Sequence, residues 1–212
     1  MPPTSLYLAF VAATFILCVI PGPVVTFLVA TGIHQGPRAA LTGLAGSTTA
    51  LTIHMMLVVA GLAPLLAALG HGADWLKFIG ALYLVWLGIQ AWRAPIDPHG
   101  DTGDDLAPRR THHAPRVLYR RGLLISLTNP KTLVFYAAFF PQFIDPTRAA
   151  LPQFILLAIS FVTISLLSDG AYALAAGHLA PYLKSRRAQI IRNRATGIVL
   201  SAAGLGLALA RR

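Results

Sequence analysis

An all-α polytopic membrane protein of six transmembrane helices is the fold this sequence predicts, and three observations carry the prediction. Hydrophobic residues make up 56% of the chain and charged residues only 11%, against about 25% charged in soluble domains. The mean hydropathy is +0.66. The apolar residues gather into six runs separated by short polar or basic segments, and most of the runs match the ~20 residues that cross a ~30 Å hydrocarbon core. No polar block is long enough to fold separately, so residues 1–212 read as a single transmembrane domain.

The first span covers about residues 6–30 and carries Pro21-Gly22-Pro23 near mid-depth. It lacks a basic leader and runs past signal-peptide length, so it reads as a retained span. The second, about 39–66, contains Gly43, Gly46 and His54. The third, about 75–92, has tryptophans at both ends, as interfacial anchors do. Residues 93–121 hold prolines, aspartates and arginines and read as a flexible cytoplasmic loop. The fourth span, about 122–144, contains Asn129-Pro130-Lys131, and the fifth, about 149–177, contains Asp169. A basic linker, 181–194, reads as a surface helix or loop facing anionic lipid. The sixth span, about 195–210, would reach only ~24 Å, so Arg194 and Arg211 would snorkel or the bilayer would thin.

The net charge of +10 does not indicate nucleic-acid binding, because the basic residues lie between apolar runs, where topology requires them. With the N-terminus outside, Arg38, the arginines of 93–121 and the basic residues of 181–194 fall in the cytoplasm; only Lys77, Arg148, Arg211 and Arg212 fall opposite. Both termini are therefore expected outside. Cys18 is the lone cysteine, which excludes disulfide and cysteine-cluster chemistry. No nucleophile–base spacing or cofactor motif appears, so the chain does not read as an enzyme.

Three crossings fall in each half, so any structural repeat is a 3+3 inverted one with broken first and fourth helices. A proline removes a backbone donor and displaces a carbonyl. Interrupted helices at matching positions of two halves point to a transporter's substrate site. Pro21, Gly22 and Pro23 form one break and Asn129, Pro130 and Lys131 the other. The plain alternative is that the prolines only kink their helices.

Lys131 and Asp169 sit at similar depth, ~12–14 Å from the inner surface. Such a pair lowers the cost of burying each charge, either as a static lock or with Asp169 taking up and releasing protons. His54 is a second proton-coupling candidate because its pKa lies near neutrality; the alternative is a neutral histidine bonded between helices. Thr26, Ser47, Thr48, Thr49, Ser165 and Ser168 line a polar path or bond their own backbone. Gly32, Gly36, Gly43, Gly80 and Gly204 read as helix-packing contacts that would also allow a homodimer. His99, His112 and His113 in the loop are the one place for a metal, and no metal site is assigned to the spans.

Taken together, the PGP of the first span, LKFIGALYLVWLGIQAWR in the third, GLLISLTNPKTLVFYAAFFPQFI in the fourth, the acid in the fifth and the glycine-rich last run resemble the LysE/RhtB family of bacterial amino-acid exporters over nearly the whole chain. The resemblance implies a secondary exporter of amino acids or their derivatives in the bacterial inner membrane, driven by protons and using no cofactor. It maps the family's first signature onto Pro21, Gly22 and Pro23, its second onto Asn129, Pro130 and Lys131, and its fifth-span acid onto Asp169. The chain has no glutamate, which leaves the coupling stoichiometry open. Efflux of inorganic cations is the competing reading, against which stands the lack of clustered hard or soft ligands.

Overall fold

Prolines set the first two helix boundaries. In the computed structural model, which describes residues 1–69, 73–94, 113–129, 136, 140–176 and 186–209, α1 (Thr4–Val19) stops where Pro21 and Pro23 offer no N–H to the Leu17 and Val19 carbonyls. Helix α2 (Pro23–Gln35) restarts at Pro23, whose fixed φ suits a first helical position. Gly22 between them is extended, at φ −112° and ψ −167°, and the two axes differ by 47°. Gly36, at φ 86°, then turns the chain into α3 (Pro37–Leu69).

The remaining described elements are α4 (Ala73–Arg93), α5 (Pro115–Leu127), a 3-10 turn (Phe140–Phe143), α6 (Ala150–Leu174) and α7 (Arg186–Leu209). No strand occurs among the described residues. Among the described residues two helices are each long and apolar enough to cross a membrane, α3 through Pro37–Gly61 and α6, and a third span results if the bent pair α1–α2 counts as one.

One expectation needs correction. Residues 93–121 are not loop throughout, since α5 starts at Pro115. Its Leu118 and Gly122 are buried while Arg116 and Arg120 stay exposed, so a helix amphipathic at its start hides in a segment whose composition reads as polar. Residues 95–112, with His99 and His112, lie outside the described residues. The last helix, α7, has 24 residues because it takes in the end of the basic linker, while the apolar run that begins at Ala195 keeps its predicted start. The Arg194 guanidinium lies over the Trp92 ring at 5.8 Å and Asn193 donates to the Ala94 carbonyl at 3.1 Å, so polar groups there find partners without ending the helix.

Small residues bring helices together at backbone distance. A Cβ on Gly122 of α5 would strike the Gly43 carbonyl of α3, and one on Gly46 would strike the Tyr119 carbonyl. On α4 and α7, Gly88 and Gly197 each face the other's carbonyl, and Gly204 faces that of Ala81. The core lies where α1, α3, α6 and the 3-10 turn meet. Phe10, Phe140, Phe154, Phe161 and Leu157 are buried there, with Phe10 edge-on to Phe140 at 5.2 Å. Phe15, Met56, Leu57, Leu82 and Leu167 point outward, as lipid-facing residues should.

The segment before α6 is pinned by Gln153, which is fully buried. Its Oε1 accepts the Asp145 N–H at 2.9 Å, and its Nε2 donates to the carbonyls of Asp145 at 3.0 Å and Ala149 at 3.1 Å. Arg148 pairs with Asp145 at 3.1 Å and donates to the Met1 carbonyl at 2.9 Å, tying this segment to the chain's start. Hydrogen bonds from the Thr147 hydroxyl and N–H hold the Asp145 carboxyl below its ordinary range, with Arg148 adding to the effect.

Candidate functional site

The break between α1 and α2 opens onto a cavity of about 70 Å³, room for about two waters. One wall is the end of α1, the extended Gly22 and the start of α2, contributing Leu17, Cys18, Ile20, Val24 and Val25. Ser47, Thr48 and Leu51 of α3 face it, as do Ser126 and Asn129 in the first part of the fourth predicted span. Helix α6 closes it with Phe161, Ser165, Leu166 and Asp169.

Of the residues singled out from the sequence, Gly22, Asn129 and Asp169 line this one cavity. Pro21 and Pro23 flank Gly22 and produce the break. Asn129 is buried, directly after α5 ends at Leu127 and Thr128 turns. Pro130 and Lys131 lie outside the described residues. His54 is not among the lining residues. It is buried in α3, its ring 5.7 Å from that of Tyr136.

The polar groups of the cavity differ in what they leave available. Ser47 spends its hydroxyl on the Leu44 carbonyl at 2.9 Å. Thr26 and Thr49, which do not line the cavity, bond the Gly22 and Ala45 carbonyls of their own helices. Ser165 instead meets Cys18 Sγ across the cavity wall at 3.2 Å. The N-cap residue of α2, Gly22, has no side chain to cap it, and the first turn of a helix carries the positive end of its dipole. Asp169 supplies a carboxylate on another wall, and Leu17, Leu51 and Phe161 an apolar floor.

Sequence reasoning missed Cys18, Ser126 and Tyr172 as neighbours of this site. Cys18 and Ser126 carried no signal, being single polar atoms in apolar runs. For Tyr172 a signal exists: Ser165, Ser168, Asp169 and Tyr172 recur at helical spacing, a polar stripe on an otherwise apolar helix.

The model of the LysE type translocator family matches residues 15–211, nearly the whole chain. The chain belongs to that family. Among relatives of this LysE type translocator, the homoserine/homoserine lactone efflux protein of Salmonella typhimurium is 35% identical over 97% of both chains. An uncharacterized membrane protein of Vibrio cholerae is also 35% identical over 97% of both. The leucine efflux protein of Klebsiella pneumoniae is 30% identical over 85% of this chain and 84% of its own. No solved structure matches this LysE type translocator.

Proposed function

We propose that the protein is a secondary exporter that moves a small neutral amino acid, or a derivative of one, out of the cytoplasm in exchange for protons. The observation that carries this reading is the gathering of Gly22, Asn129 and Asp169 around one cavity, from three separate stretches of chain. The names of the relatives, efflux proteins for homoserine and its lactone and for leucine, support the substrate class.

In this reading the substrate carboxylate meets the uncapped start of α2, and its ammonium meets ionised Asp169. A proton arriving from outside neutralises Asp169 and weakens that attachment, so the amino acid leaves as the proton enters. Lys131 either pairs with Asp169 or contacts the substrate carboxylate. Six spans in a 3+3 inverted repeat complete the proposal. Supporting it, α3 packs on α5 while α6 packs on α1, and exchanging the halves converts one pairing into the other. The pairs α3–α6 and α4–α7 each convert into themselves. The bond between Arg148 and the Met1 carbonyl joins the N-terminus to the segment before α6, a proximity that six spans require whichever side the termini occupy; the outside orientation in the inner membrane rests on the basic residues of 93–121 and 181–194.

The test uses proteoliposomes loaded with homoserine or leucine. Release accelerates under an inward proton gradient, and Asp169→Asn abolishes the acceleration. Wild-type release that ignores the gradient would sink the coupling scheme.

A further inference from the structure

A helix that ends inside a membrane leaves carbonyls that water cannot satisfy, and each is costly unless another element supplies a donor. Pro21 and Pro23 leave α1 with such carbonyls, and the donors that reach two of them come from α6. The Ser168 hydroxyl donates to the Cys18 carbonyl at 3.2 Å, and the Tyr172 hydroxyl donates to the Val19 carbonyl at 2.7 Å.

We propose that the break of the first half is capped from the second: Ser168 and Tyr172 of α6 hold the broken end of α1. These are positioning residues. They fix that broken end at the cavity, and the proposal rests on the reading of that cavity as the substrate site.

Ser168 and Tyr172 stand one turn apart and flank Asp169, so their bonds set where Asp169 lies relative to the open start of α2. The seam they form is also a partition. Cys18 lines the polar cavity on one side, while Val19, Ser168 and Tyr172 line an apolar groove of about 470 Å³ with Phe15 and Leu167 on the other. A hydroxyl in such a groove has little water to compete for it, which favours the protein carbonyl.

Cys18, the chain's only cysteine, reports on the seam without reference to transport. In the full-length protein in liposomes, alkylation of Cys18 by N-ethylmaleimide is expected to quicken about fivefold in Tyr172→Phe and in Ser168→Ala, the factor that one lost hydrogen bond supports. Ser168→Thr keeps a hydroxyl and stays at the wild-type rate. Tyr7→Phe is the control: it removes another bond between α1 and α6, to Ser160 at 3.0 Å, far along α1 from the break, and leaves labelling unchanged. Export falls in the two cap variants and not in the control. The caps are overturned if Tyr172→Phe and Ser168→Ala label as wild type does, or if Tyr7→Phe labels as fast as they do. Failure of the transport reading shows separately, as wild-type liposomes that release no amino acid while the labelling contrast stands.

Discussion

Gly122 lies directly on the carbonyl of Gly43, and one turn away Gly46 lies on the carbonyl of Tyr119. The two contacts clamp α3 to α5 at backbone distance, so the helix that leads into the second break is held by the helix that carries Ser47 and Thr48. A methyl group at either glycine meets main chain, which cannot rotate away. Gly122→Ala is therefore expected to cost about 1–3 kcal/mol, the range for overpacking, and to lower the midpoint of thermal unfolding in detergent. Ala at Gly61, where an added Cβ meets nothing within 4 Å, is the matched comparison and leaves the midpoint near wild type. Equal midpoints for the two variants would show that the α3–α5 contact is loose.

Asp145 makes a prediction about acid. Its carboxyl accepts two bonds from Thr147, at 2.6 and 2.9 Å, and pairs with Arg148, so its pKa in the folded protein lies below the ordinary 3.8. A depressed carboxylate contributes stability that is fully present above the unfolded pKa and is lost as pH falls through the folded one. The gap in thermal midpoint between wild type and Asp145→Asn should thus stay constant from pH 7 to pH 5, roughly, and close below about 3.8. Because the carboxylate lies at the protein surface, only partly buried, the gap is small. A gap that widens on acidification would mean that the Thr147 bonds do not favour the ionised form.

How much of this was legible in the sequence follows from what each feature depends on. The break at Pro21 and Pro23 is local chemistry, since proline lacks the N–H that the helix needs, and it shows as a true interruption with a 47° bend. Asp169 and Asn129 stood out because amide and carboxylate are costly in an apolar run, and that cost is also why both turn up at a cavity. The start of α5 at Pro115 was misread because arginines on one face of a helix lower its average hydropathy, while Leu118 and Gly122 on the other face are buried. The capping by Ser168 and Tyr172 was out of reach, because it depends on which helix lies beside α1, and nothing local to either segment encodes that.

Gly22 and Gly36 separate conformational need from cavity function. Gly36 sits at φ 86° and ψ 170°, a region that is nearly glycine's alone and costs other residues about 1–3 kcal/mol. Gly36→Ala is expected to lower the thermal midpoint although no atom lies within 4 Å of the added carbon. Gly22 is extended, at φ −112°, which alanine adopts freely, and its added carbon also meets nothing within 4 Å. Gly22→Ala should therefore fold as wild type does. Gly22 lines the cavity beside the uncapped start of α2, where a methyl group would stand in the space proposed for the substrate carboxylate. Export by Gly22→Ala should fall mainly through a raised KM, with an unchanged thermal midpoint, when both are measured on the same liposome preparation. A lowered midpoint would return Gly22 to a structural role, and an unchanged KM would move the carboxylate away from α2.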